Sequence, residues 1–132
     1  MGQDLLQSRT EAVESIPEGC LTNHVELEGT LAKPCDLRYT PTGIAVATLE
    51  LDHVSNHPDT APLKRMELKI VVIAFDSLAD QCAVLVAGTR LKFRGRLNQK
   101  RWIRDERIRW GQVELIATAM ETMGQGTNVQ QL

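Results

Sequence analysis

Between residues 90 and 97 every second position is apolar or glycine and every other position is a cation: Leu91, Phe93, Gly95 and Leu97 against Arg90, Lys92, Arg94 and Arg96. A period of two sends the two sets to opposite faces of an extended strand, one toward a core and one toward solvent. The same rhythm recurs in short segments along the chain. In residues 24–32, Val25, Leu27, Gly29 and Leu31 alternate with Glu26, Glu28 and Thr30. Residues 44–53 form a second strand whose apolar set moves from even positions (Ile44, Val46) to odd ones (Leu49, Leu51), which predicts a bulge or strong bend. Residues 66–75 are the most apolar run and read as a buried central strand with Leu68, Ile70 and Val72 inward. Residues 107–118 close the set, with Val113 and Leu115 as core positions.

The punctuation between these segments is turn chemistry. Thr40-Pro41-Thr42-Gly43 has the Pro and Gly of a type II turn, and residues 55–62 (SNHPDTAP) are loop-forming throughout. Residues 76–83 predict one or two helical turns, with Asp76 as N-cap and Gly88 as the stop. Three strands, a short helix and two more strands in 132 residues describe an all-β chain. The architecture expected is a five-stranded OB-fold barrel with a short helix between strands 3 and 4. Residues 1–21 read as an N-terminal extension, expected to be flexible; 22–118 as the OB-fold domain; and 119–132, polar and rich in Gly and Gln, as a flexible tail.

Charge supplies the functional signal. The net charge is only −2, yet nine cations lie between residues 90 and 109, opposed there by Asp105 and Glu106 alone. Such polarity suits a protein that meets an anion on one side. No run approaches the roughly 18 apolar residues of a membrane span, and no basic start with an apolar run marks a secretory signal. Cys20, Cys35 and Cys82 are odd in number and lack C-x-x-C spacing, which points to incidental thiols in a reducing cytoplasm. His53, His57 and Asp59 are the only group resembling a metal or acid–base cluster. Pro58 denies them a helix and no third ligand stands at a fixed spacing, so they read as surface loop. There is no phosphate-binding loop, nucleophile elbow or paired-carboxylate pattern. The expectation is a binding protein, not an enzyme, with no cofactor and no metal.

Several segments resemble the primosomal replication protein N (PriB) family, bacterial relatives of single-stranded DNA-binding protein. The likeness runs from Asn23-x-Val25-x-Leu27-x-Gly29-x-Leu31, through residues 37–44 (LRYTPTGI) and Leu51-x-His53, to residues 112–116 (QVELI). The RYTPTGI turn is its most specific part. The resemblance implies a homodimer of OB-folds that binds single-stranded DNA without strong sequence preference. It also implies a role in restarting stalled replication forks, with a restart helicase and other primosome proteins as partners. By position, the family's basic loop between the last two strands falls on Lys100, Arg101 and Arg104, and its basic turn after the first strand on Arg38 and Tyr39. Where some members carry aromatics after the second strand, this chain has Leu63, Met66 and Leu68 beside Lys64 and Arg65.

The nucleic-acid-binding set expected from these readings is Arg38, Tyr39, Lys64, Arg65, Arg94, Arg96, Lys100, Arg101, Trp102, Arg104 and Arg107. In it cations track phosphates while Trp102, flanked by Arg101 and Arg104, stacks a base. The competing reading of Trp102 folds its ring back onto the barrel, and that of the alternating cations makes them a solvated strand face. Trp110, in ordinary strand rhythm, reads as core or interface. Two other functions fit the same charges: an OB-fold that binds RNA, since nothing here discriminates the 2′-hydroxyl, and an adaptor whose basic face docks an acidic protein.

Overall fold

The computed structural model describes residues 21–123; residues 1–20 of the expected N-terminal extension, Cys20 among them, and residues 124–132 of the expected tail at 119–132 lie outside them. In chain order the elements are β1 (Val25–Leu31), β2 (Asp36–Tyr39), β3 (Ala45–Asn56), a 3-10 turn (Pro58–Thr60), β4 (Arg65–Phe75), α1 (Asp76–Ala83), β5 (Arg90–Arg104) and β6 (Arg107–Thr122). β1 pairs antiparallel with β5, β5 with β6, β6 runs parallel to β4, and β4 pairs antiparallel with β3. β3 returns to β1 through Thr30–Asp52 and Leu31–Leu51, which closes a five-stranded barrel. This is the expected OB-fold, with α1 between the third and fourth barrel strands. The short β2 pairs only with β3, as a side ribbon the periodicity did not reveal.

The barrel is filled by the inward set of every strand. Leu31, Leu49, Leu51, Val72, Leu91, Phe93 and Leu115 are fully buried, and α1 lays Ala79 and Cys82 against them. Each large side chain removed from water contributes roughly 1.5–3 kcal/mol, so this cluster dominates stability. Burial pushes the Cys82 thiol up to about 11, which keeps it protonated and unreactive at neutral pH.

Several local expectations are corrected. β3 carries no bulge: its register with β4 is unbroken from Val46 to Asn56, and its inward set is Ala45, Ala47, Leu49 and Leu51 throughout. The small alanines are the core residues, while the larger Val46 lies on the other face opposite Phe75 and Ile44, just before the strand, is 42% exposed. Asp76 is not an N-cap. β4 runs straight into α1, so Phe75 holds the cap position without a side-chain bond and Asp76 takes a left-handed φ of 60°. The turn after β2 is not type II either. Gly43 N–H donates to Thr40 C=O at 2.8 Å, which places Pro41 and Thr42 at the centre and a left-handed Gly43 fourth. A type II turn needs its left-handed residue third. Leu97 and Val113, expected in the core, are 42% and 44% exposed because they lie at the barrel mouth, where β5 and β6 leave it. β6 also extends to Thr122, and Met123 N–H still bonds Arg90 C=O at 2.8 Å.

Closure depends on one close approach. At Gly95 the β5–β6 register shifts: Arg94 faces Ala119 while Gly95 faces Ala117, so Thr118 is the extra residue of a bulge. A Cβ built on Gly95 would strike the Ile116 carbonyl oxygen and lie 2.9 Å from a Leu115 methyl. The obstacle is backbone and cannot turn aside. Gly95→Ala should therefore destabilise the fold by about 3 kcal/mol, the upper end of overpacking costs. Urea unfolding followed by far-ultraviolet circular dichroism reads this directly.

Candidate nucleic-acid interface

Residues 98–106, expected to form the loop between the last two barrel strands, are instead mostly strand. β5 and β6 continue past the barrel as a two-stranded ribbon paired as Arg101–Trp110, Trp102–Arg109, Ile103–Ile108 and Arg104–Arg107. The loop shrinks to Asp105 and Glu106, both left-handed, with φ 53° and 61°. Two consecutive left-handed residues make the type I′ turn, whose twist matches that of the strands it joins. The ribbon escaped the periodicity because it is solvated on both faces, and no burial imposes alternation on its side chains.

Pairing sorts the ribbon into two faces, since residues directly opposite in an antiparallel pair share a face. One carries Lys100, Trp102 and Arg104 from β5 with Arg107 and Arg109 from β6. The other carries Arg101 with Ile103, Ile108 and Trp110, of which Ile103 is 70% and Trp110 60% exposed. Trp110 is thus no core residue. On the first face, Trp102 lies against Gly111, where a Cβ would come within 2.8 Å of the indole and 3.2 Å of the Lys100 Cβ. One side of the Trp102 ring thus rests on the neighbouring strand of the ribbon, while the residue stays 47% exposed.

The structure divides the expected site residues by electrostatic company. Arg94 donates to Glu26 Oε2 at 2.5 Å, Arg65 to Glu67 at 2.6 Å and Arg38 to Asp36 at 3.1 Å. The hydrogen bond from Arg94, reinforced by the charge of Lys92, lowers the Glu26 pKa, and Glu26 raises that of Arg94 in return. Among the described residues no carboxylate lies within ion-pair distance of Arg96, Lys100, Arg101, Arg104, Arg107 or Arg109. Position divides them too. β4 starts, and the ribbon projects, at one end of the barrel, because β4 and β6 run parallel from Arg65 and Arg107. Lys64 and Arg65 share that end. β2, with Arg38 and Tyr39, pairs with the first residues of β3 and sits at the opposite end. The sequence-derived set omitted Arg109. The type I′ turn puts it opposite Trp102, but Asp-Glu is a weak signal for that turn beside Asn-Gly.

The histidines are engaged in local bonds. His53 Nδ1 meets Glu28 C=O at 2.6 Å, and Ser55 Oγ lies 2.7 Å from both His53 Nε2 and His57 Nε2. The Glu28 carbonyl can only accept, so His53 Nδ1 carries its proton. Among the described residues no group of three or more His, Cys, Asp or Glu side chains converges as metal ligands would.

A closed barrel of this topology is an OB-fold, here with its last two strands projecting as a cationic ribbon. A family model described as "another single-strand binding protein family" matches residues 23–108, and the chain belongs to that family. It is also 28% identical over 85 residues to the replication restart protein PriB of Nitrosomonas europaea, covering 64% of this chain and 79% of that protein.

The seat of Trp102 is open to test. In a Trp110→Phe background, Gly111→Ala should lift the Trp102 ring off β6, seen as a red-shifted emission more readily quenched by iodide. An unchanged spectrum would mean that the ring does not rest there.

Proposed function

We propose that the protein binds single-stranded DNA along the ribbon and serves replication restart as a non-catalytic loading factor in the cytoplasm. The observation that carries this is the coincidence of unpaired cations and a half-exposed tryptophan on one face: Lys100, Trp102, Arg104, Arg107 and Arg109. Cations facing solvent without partners are available to phosphates, and an indole seated on one side offers its free side to a base. Membership of a single-strand binding family and similarity to a restart protein support the same reading. Lys64 and Arg65 extend the path at the same end of the barrel. Arg94 lies on its wall, already paired with Glu26, and contributes less. The restart helicase and other primosome proteins are the proposed protein partners.

Anisotropy titrations with single-stranded DNA, single-stranded RNA and duplex compare the three forms. Tightest binding to single-stranded DNA supports the proposal, and preference for RNA or failure with all three overturns it. The triple replacement of Lys100, Arg104 and Arg109 by Ala should weaken binding to poly-dT and flatten the log–log salt dependence by about 2 units, at roughly 0.7 per contact. Trp102→Ala should cost roughly 1–3 kcal/mol and leave the slope nearly unchanged, because stacking releases no counterions.

We further propose a homodimer. β1 pairs with β3 only at Thr30 and Leu31, so the edge of β1 before Thr30 meets no other strand of the described residues on that side. A two-fold copy would cover such an edge. Sedimentation equilibrium at tens of micromolar should give twice the chain mass of 14.7 kDa; a monomer mass would refute it.

A further inference from the structure

The chain joins the described fold at the root of the ribbon. Asn23 donates through Nδ2 to Leu97 C=O and accepts from Leu97 N–H through Oδ1, both at 2.9 Å, as a side-chain substitute for one more rung of the β1–β5 ladder. That ladder is antiparallel, pairing Thr30 with Arg90 through to Val25 with Gly95. Traced backward as far as Asn23, the chain therefore advances along β5 to the root of the ribbon. Beyond Leu97 that edge of β5 has no strand partner among the described residues. Sequence and charge fit this course. Residues 1–20 contain Asp4, Glu11, Glu14 and Glu18 against the single cation Arg9, with Leu5, Leu6, Val13 and Ile16 among them. The ribbon offers the reverse: unpaired cations on both faces and an exposed apolar strip of Ile103, Ile108 and Trp110. Reach is ample, since twenty residues extend to roughly 65 Å and residues 98–104 span roughly 23 Å.

We infer that residues 1–20 dock on the ribbon of their own chain, set their carboxylates against its cations and compete with single-stranded nucleic acid for that surface. The competition rests on the proposed function; the docking does not. The segment acts as a tethered anion whose hold weakens with salt. Nucleic acid, with a charge on every nucleotide, displaces it, and the displaced segment is then exposed only on the loaded protein. An acidic segment anchored beside the site also disfavours weak, adventitious polyanions more than a long single strand.

The test uses the full chain and its variant D4N/E11Q/E14Q/E18Q, which removes the four carboxylates of residues 1–20. With a fluorescein-labelled dT oligomer at about 50 mM salt the variant should bind roughly five- to tenfold tighter, and the difference should close at high salt, as screened surface pairs do. Without DNA, the amide resonances of residues 98–104 and 107–110 should differ between the two proteins, and those of the barrel should not. Equal affinities overturn the competition. Tighter binding with unchanged ribbon resonances overturns the docking and leaves only a net-charge effect. If neither protein binds dT, the function proposed above falls, and the resonances alone decide: ribbon shifts uphold the docking, and their absence or their appearance elsewhere refutes it.

Discussion

The pairing of β5 with β6 is the constraint from which the rest of the structure follows. The same two strands close the barrel at one end and project beyond it at the other, so one ladder of backbone bonds both buries Leu91, Phe93 and Leu115 and presents Arg104 and Arg107. Two register shifts divide the labour. The shift at Gly95 lets β6 bend tightly over β5 at the barrel wall, and the second, between Gln99 and Arg101, marks where the ribbon leaves. Side chains fix the departure: Gln99 Nε2 donates to Gly111 C=O at 2.9 Å, and Asn98 Nδ2 to Glu114 Oε2 at 3.2 Å. Glu114 is only 6% exposed and its Oε1 has no partner, so the root of the ribbon carries an acid whose burial depends on the bond from Asn98.

Holding the cations on a β-ribbon rather than in a loop has an energetic consequence. Arg104 lies directly opposite Arg107, and like charges across a strand pair are destabilising. Ile103 opposite Ile108 and the seat of Trp102 on Gly111 work the other way, as does the acidic turn at Asp105 and Glu106. The unliganded ribbon is therefore kept together by backbone pairing and a few apolar contacts against its own charge. An anion laid along it removes the repulsion without first having to order a loop, so less affinity is lost to conformational entropy.

The barrel was legible in the sequence wherever one face of a strand is buried and the other wet. β1 and the first half of β5 alternate cleanly because the core demands it of Val25, Leu27 and Leu31, and of Leu91 and Phe93. Legibility failed where size misled or burial ended. In β3 the inward residues include the small Ala45 and Ala47, and Ile44 and Val46 outweigh them in any reading based on hydrophobicity, so a bulge or strong bend was expected where the register with β4 is unbroken. Leu97 and Val113 keep the inward rhythm but reach the mouth of the barrel, where an inward direction no longer means a buried place. For the candidate site, composition located the cations but not their partners. Only the ladders show that Arg94 is held by Glu26 and that Arg101 stands on the other face from Trp102.

That division of partners explains how a chain of net charge −2 can present a cationic surface. On the barrel the charges cancel locally, through Lys33–Glu50, Lys69–Asp52, Arg90–Glu28 and Arg94–Glu26. Each exposed pair contributes little to stability. Their larger effect is on the field, since a neutralised wall neither attracts nor misdirects an approaching polyanion. On the ribbon no such cancellation occurs among the described residues. Within a Debye length of about 8–10 Å, an approaching strand therefore meets the ribbon's field rather than the molecule's net charge. Removing a carboxylate from the wall, as in Glu26→Gln, would release Arg94 and widen the positive surface. On the proposed function, selectivity for the ribbon would thus depend on acids that never touch it.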